Sequence, residues 1–435
     1  MRSTADLRRA ILSRDSCVAV IGQGYVGLSL ACAAAEAGFR VTGVDVDASR
    51  VEHLSRGRAA VAGVEQAALS AAVATGRLSF TTSARVVRDC RLVLVCVPTP
   101  LREGMPDLSF VDQACQDVAE HLAPGSLVVL ESTTYPGTTE ERVRPILERP
   151  GLVAGHDFLL AYSPERIDPG GSEFSFRRVP RVVGGVNPEA TGMAVLFYEQ
   201  LVDKVMSVSS ARAAELAKLL ENTFRHVNIA LVNEMAMLCH EVGIDVWEVI
   251  EAAATKPFGF MRFSPGPGVG GHCIPLDPTY LAWQVRRDAG HQFRVLEEAE
   301  DINAQMPAWV AARIGEVLND RGKPVKEAGI LVLGAAYKPD VGDVRESPSI
   351  RVMNHLYRRG ARISYHDPYI DQIAMNGGRL HCTELTTQRV QRSDLVALLT
   401  PHAAYDLDWL AEHAQVLFDA RNAYRTPCPE NVVRL

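Results

Sequence analysis

The run GPGVGGHCIPLDP, Gly266 to Pro278, places one cysteine, Cys273, behind a glycine-rich loop and one aspartate, Asp277, four residues beyond it. Backbone amides of such a loop can face an anion and draw a thiol below its reference pKa of about 8.5. A thiolate beside a nicotinamide ring can capture an aldehyde as a thiohemiacetal, which gives up hydride and becomes a thioester. The competing reading is a loop thiol of no consequence. Asp277 precedes Pro278 at a helix start, so a plain N-cap rivals a catalytic role, and the two are compatible. His272 reads as a donor that fixes the loop rather than as an acid or base.

Lys218 and Asn222 stand four residues apart in a helical stretch and so share a face. A lysine and an amide there could steady a developing alkoxide and place a water. A solvated charge beside a polar residue is the plainer alternative. Thr133 in ESTTYPGTT and Glu165 in YSPERIDPG each follow an apolar, strand-like run, on the edge where α/β sheets bind ligands.

These groups need a redox partner, and the first βαβ unit offers one. CVAVIGQGYVGLSLACAAAEAGFRVTGVDVD reads as a buried strand (17–21), a tight turn, an alanine-rich helix and a second strand ending at Asp45. Gly22, Gly24 and Gly27 occupy the three positions of G-x-G-x-x-G. They serve the tight turn, the close approach of a pyrophosphate and the packing of the helix, whose N-terminus faces phosphate. Asp45 is placed to accept hydrogen bonds from a ribose and would repel a 2′-phosphate, which favours NAD over NADP. Arg50 nearby keeps the second choice open.

Further apolar runs, LVLVCV (92–97), SLVVLE (126–131), FLLAYS (158–163) and RVVGG (181–185), predict an N-terminal Rossmann-type doubly wound parallel sheet. From 211 to 254 the pattern is helical throughout, as expected of a bridge or dimerisation element. From 328 onward strand, turn, helix and strand recur, predicting a smaller Rossmann-like α/β domain. The expected division is 1–205 for NAD, 206–310 for a central helical domain and 311–435 for a third domain. A length of 435 residues requires such a division, because single cores stop growing near 250–300 residues. The net charge of −7 gives no broad basic field, so nucleic acid is not an expected partner. Nine scattered cysteines without a C-x-x-C pair suggest reduced thiols, with no zinc site and no metal expected. The charged N-terminus lacks the apolar core of a signal peptide and no apolar run reaches membrane-span length, so a cytoplasmic protein with no membrane partner is expected.

Seven motifs in order, GQGYVGLSLA, VPTP, ESTTYPGTTE, YSPERIDPG, AELAKLLENTFRHVNIALVNE, PGPGVGGHCIPLDPTYLAW and LGAAYKPDVGDVRESPS, resemble the nucleotide-sugar 6-dehydrogenases, the family of UDP-glucose and UDP-N-acetylhexosamine dehydrogenases. The resemblance covers nearly the whole chain. It implies a four-electron oxidation of a sugar C6 alcohol to the carboxylate with two NAD per turnover and Cys273 as nucleophile. Lys218 and Asn222 then match the pair that steadies the oxyanion and holds the sugar. Thr133 and Asp277 match groups handling the catalytic water and proton transfer, and Glu165 the carboxylate linked to thioester hydrolysis. Tyr25, Val26, Pro98, Thr99 and Thr133 join the three glycines, Asp45 and Arg50 around the cofactor. Gly270, Arg262 and Lys338 join Glu165, Lys218 and Asn222 on the nucleotide sugar, with Arg262 second in rank. A homodimer through the central helix is expected. The residues leave open UDP- or dTDP-glucose against a UDP-N-acetylhexosamine, and surface polysaccharide against a natural product as destination. A two-electron dehydrogenase of the β-hydroxyacid type would not need Cys273, and a non-catalytic nucleotide-sugar sensor would not need the whole set.

Overall fold

Four runs of the N-terminal part, CVAVI, LVLV, LVVL and LLAY, alternate their side chains between two separate cores. Val18, Val20, Leu92 and Leu94 enter one, and Ala19, Ile21, Val93 and Val95 enter the other. A strand buried on both faces reads as a continuous apolar run, which is why these segments were recognisable. The computed structural model describes residues 4–59, 66–166, 176–271, 274–425 and 428–435, so His272 and Cys273 lie outside the described residues. The chain divides into two units, one reaching Glu221 and including Thr279–Gln284, the other comprising Asn222–Pro278 and Val285–Leu435.

In the first unit the strands are β1 (Cys17–Ile21), β2 (Arg40–Val44), β3 (Leu78–Thr81), β4 (Leu92–Val95), the small hairpin β5 (Leu101–Arg102) and β6 (Met105–Pro106), β7 (Leu127–Leu130), β8 (Leu159–Tyr162), β9 (Arg181–Gly185) and β10 (Val205–Ser207). The large sheet has the order β10-β9-β8-β7-β4-β1-β2-β3. Its pairs are parallel except β8 with β9, so β9 and β10 run against the rest. This refines the fully parallel sheet that the apolar runs suggested: an apolar run carries no sign of strand direction.

The N-terminal segment, charged along its length, forms the helix Thr4–Ser13 and buries Leu7 and Ile11 in the same core as Val18 and Phe197. Residues 211–254 are helical as expected but broken at Gly243, where φ is +72°. The helix Ala211–Val242 ends there, and Asp245 caps Val246–Ala254 by accepting from the Trp247 amide at 2.9 Å.

The second unit carries β11 (Gly329–Leu333), β12 (Arg362–His366), the hairpin β13 (Gln372–Met375) and β14 (Gly378–His381), β15 (Leu395–Leu398), β16 (Leu417–Asp419) and β17 (Val432–Arg434). Its five-stranded sheet, β12-β11-β15-β16-β17, is parallel throughout. The turn after β11 repeats the turn after β1. Gly22 has φ +90° and lies so that a Cβ would meet the Cys96 carbonyl oxygen at 2.6 Å, while Gly334 has φ +86° and would meet that of Thr400 at 2.3 Å. Asp367 after β12 corresponds to Asp45 after β2. It accepts from the amides of Ala335 and Ala336 at 2.8 and 3.0 Å and faces buried His402 Nε2 at 3.0 Å. No described helix is long and apolar enough to cross a membrane.

Candidate active site

At the cofactor turn, Gly24 takes the N-cap position of the helix Tyr25–Glu36 with extended backbone and no side-chain cap. A Cβ on Gly24 would meet nothing within 4 Å, so there is open space at the start of this helix. A Cβ on Gly27 would fall 1.9 Å from the Gly22 carbonyl oxygen, so only glycine lets the helix cross there. Asp45 is buried; its Oδ2 accepts from the Gln23 amide at 2.8 Å and from Arg50 at 2.9 Å, and its Oδ1 from the Asp47 amide. Open helix amides beside a fixed carboxylate fit the pyrophosphate and ribose of a dinucleotide. Asp45→Ala should raise the NAD dissociation constant about 10- to 100-fold while narrowing the preference against NADP. Titration of tryptophan fluorescence with both cofactors checks this, and unchanged NAD affinity would remove Asp45 from the site.

The strand register aligns the next groups. Ile21, Val95, Leu130 and Tyr162 are partners in turn across β1, β4, β7 and β8. Gly24, Pro98, Thr133 and Glu165 each stand three residues beyond one of them, so four sequence-expected positions leave adjacent strand ends at the same offset. The Ser132 hydroxyl donates to the Val97 carbonyl at 2.7 Å, tying two of these loops together. Tyr280 donates to the carbonyl of Thr99 at 2.9 Å.

Glu165 is held from two sides. Its Oε2 receives Arg181 at 2.7 Å and its Oε1 the Arg166 amide at 2.7 Å. Arg166 also reaches Glu221 on the long helix at 2.7 Å, so the loop of Glu165 abuts the helix that carries Lys218. Lys218 is only 8% exposed, which overturns the solvated-charge alternative. Burying an ammonium is costly, and a surface lysine would have no reason to bear that cost.

In the second unit, Asp277 is buried in the first turn of its helix, with Leu276 at the N-cap position. Its Oδ2 accepts from the Asn222 side-chain amide. Leu276 rather than Asp277 stands at the N-cap position, and two of the expected residues meet as a side-chain pair. Gly270 packs where a Cβ would meet Pro348, Tyr337 and the Glu346 carbonyl at 2.8–2.9 Å, and the Gly271 amide donates to the Arg345 carbonyl at 3.0 Å. The glycine loop thus lies against AAYKPD and ESPS, whose half-buried Lys338 is 5.9 Å from the Tyr337 ring centre. Arg262 is exposed, 3.7 Å from Glu251. Asn233 accepts from the Gly266 amide at 3.0 Å and donates to Asn303 at 2.9 Å, anchoring the start of the loop.

Two neighbours of the expected site residues, Arg181 and Glu215, escaped the sequence reading. Arg181, taken only as the start of a strand, heads the fully buried side chains in volume among the described residues and bridges Glu165 to Glu131. Glu215 accepts from the Gly137 amide at 2.5 Å and from the amide and hydroxyl of Thr139 at 2.9 and 2.7 Å, fixing the loop after Thr133. An arginine opening a run buried on both faces was the available signal, since such a charge requires carboxylates around it.

Burial pushes the carboxyls of Glu131 and Glu215 from 4.5 up to about 7. With the folded value raised, the stability they contribute is full below about 4.5 and is lost as pH rises through 7, by roughly 1.4 kcal/mol per unit of difference. The urea midpoint should therefore fall between pH 5 and 7.5, and a midpoint that rises would refute the assignment.

Comparison with known proteins fixes the class. Residues 16–202 match the NAD binding domain of the UDP-glucose/GDP-mannose dehydrogenase family, 212–305 its central domain and 331–426 its UDP binding domain. The UDP-N-acetyl-D-mannosamine dehydrogenase of Pyrococcus horikoshii is 34% identical over 417 residues, 94% of this chain and 96% of that protein. The chain belongs to the UDP-glucose/GDP-mannose dehydrogenase family. It is an NAD-dependent nucleotide-sugar 6-dehydrogenase, as its motifs implied. Among its relatives in the UDP-glucose/GDP-mannose dehydrogenase family, the UDP-N-acetyl-D-glucosamine 6-dehydrogenase of Pseudomonas aeruginosa is 35% identical over 82% of this chain and 84% of that one. The solved P. horikoshii structure aligns with a TM-score of 0.87 at 33% identity, covering 96% of this chain and 98% of that one.

Proposed function

We propose that the chain oxidises the C6 alcohol of a UDP-N-acetylhexosamine to the uronate through a covalent thioester on Cys273. The observation that carries this reading is the part-buried Asn222–Asp277 pair, two expected site residues joined to each other across 55 positions of sequence. The named substrates of the P. horikoshii and P. aeruginosa relatives support the sugar, as does the histidine before the thiol in GGHC. Gly22, Gly24, Gly27 and Asp45 would hold NAD, with Tyr25, Val26, Arg50, Pro98, Thr99 and Thr133 around it, and the cofactor would supply the hydride acceptor for each oxidation. The Cys273 sulfur adds to the aldehyde carbon, so the aldehyde stays attached between oxidations. Lys218 balances charge on the sugar oxygen as its proton leaves. Asn222 holds the sugar, while Asp277 and Thr133 serve the water and proton transfer. Glu165 takes a proton from the water that attacks the thioester carbon; the C–S bond breaks and the thiolate leaves. Gly270, Lys338 and, second in rank, Arg262 hold the nucleotide sugar.

The long helix bears exposed Leu216, Leu220, Phe224, Leu231, Leu238 and Val242. Spacings of four and seven put these side chains on one stripe, which supports a homodimer through this helix in a cytoplasmic protein. The test of function is a count of NADH per sugar across UDP-N-acetylmannosamine, UDP-N-acetylglucosamine, UDP-glucose and dTDP-glucose. Two NADH per sugar with an N-acetylated donor is expected. One NADH per sugar would mean a two-electron enzyme, and preference for a glucose donor would refute the substrate.

A further inference from the structure

A single guanidinium serves two buried carboxylates beside the loop of Thr133. Arg181 approaches Glu131 Oε2 at 2.8 Å, Glu165 Oε2 at 2.7 Å and the Pro164 carbonyl at 3.1 Å. The Tyr198 hydroxyl donates to the other oxygen of Glu131. Phe176 and Tyr198 flank the guanidinium, with ring centres 4.9 and 5.5 Å away. Exposure is 1% for Glu131, 2% for Arg181, 7% for Glu165 and 0% for Tyr198, so water does little to screen these charges.

We propose that Arg181 is the positioning residue for Glu165, and that Glu131, by drawing on the same guanidinium, makes hydrolysis of the covalent product pH-dependent. The inference rests on the role given to Glu165 above. When Glu131 is neutral, Arg181 belongs to Glu165 alone and holds that carboxylate tightly. When Glu131 ionises, two negative charges divide one positive charge, and Glu165 is freer to take the proton of the attacking water. The groups facing Glu131 are Arg181 on β9, Glu165 beyond β8, Tyr198 on the helix Pro188–Tyr198 and Cys96 beyond β4. Burial outweighs the opposing pull of Arg181 and lifts the Glu131 carboxyl to about 7, so the change falls in the physiological range.

Glu131→Gln mimics the neutral form, with its oxygen toward Arg181 and its amide toward Tyr198. The full-length enzyme is given UDP-N-acetylmannosamine and NAD at pH 6 and 8, quenched in acid, and its covalent adduct is followed by intact-protein mass. The wild-type adduct should decay ~10-fold faster at pH 8, a difference shrinking to less than ~2-fold in Glu131→Gln. Glu165→Gln should retain adduct at both values; if it does not, the role of Glu165 is wrong. If it does, while Glu131→Gln keeps the wild-type pH dependence, the proposal is overturned. Arg181→Lys, which keeps the charge but not the fork, should lower kcat with KM within ~2-fold. Infrared difference spectra between pH 6 and 8 give a readout without substrate. Because Glu215 shares the range, a protonated carboxyl band that loses part of its intensity in Glu131→Gln is expected, and a band of equal intensity in the two proteins overturns the proposal whatever the activity.

Discussion

Cys273→Ser is expected to lower turnover by ~10³-fold or more and to abolish the mass adduct. A serine hydroxyl is a far weaker nucleophile than a thiolate at neutral pH, so capture of the aldehyde slows. Any ester that formed would resist hydrolysis more than a thioester does. The variant should fold normally, because the change is a single atom of similar size. NADH release together with intact-protein mass decides the matter. Retention of more than about a tenth of wild-type turnover, with no adduct in wild type, would return Cys273 to a loop thiol and favour a two-electron dehydrogenase.

Lys218→Met is the second large effect. The ammonium is withdrawn from water on the long helix, next to the loop of Glu165. If its charge is used to balance an alkoxide, its loss should cost ~10²- to 10³-fold in kcat. Stability should hold or rise, since methionine fills a similar volume without the penalty of burying a charge. A structural lysine predicts the reverse: a lower melting temperature with the kcat of the folded fraction intact. Measuring both quantities on one preparation separates the two, and that second pattern would exclude Lys218 from the chemistry.

Much of the architecture could be read from apolar runs because strands buried on both faces leave little choice of residue. CVAVI and RVVGG match β1 and β9 to the residue. The direction of β9 was not legible, since polarity of pairing leaves no mark in a five-residue run. At the site, local signals worked: Gly22, Gly24, Gly27 and Asp45 lie within one βαβ unit, and their geometry follows from short-range constraints. Arg181 was missed because its meaning depends on Glu131 and Glu165, 50 and 16 positions away in sequence. Likewise the pairing of Asn222 with Asp277 spans 55 positions, and no helix propensity separates it from an N-cap. The N-terminal helix was obscured by its charge: two residues, Leu7 and Ile11, fasten it.

The repeated glycine turn bears on the order in which cofactors come and go. After Gly22 a helix begins at Tyr25, with nothing within 4 Å of a Cβ on Gly24; after Gly334 the next helix begins only at Pro348, and Asp367, which like Asp45 accepts from backbone amides, faces a buried histidine in place of an arginine. Arg50, the corresponding neighbour of Asp45, is 36% exposed in its side chain, whereas the His402 side chain is fully buried. The turn after β1, with its helix starting at once, is the berth proposed for the dinucleotide. On the proposed four-electron reaction, two equivalents of oxidant would pass through that doorway in succession while the sugar waits, and the exchange of spent for fresh carrier would be a kinetic step in its own right.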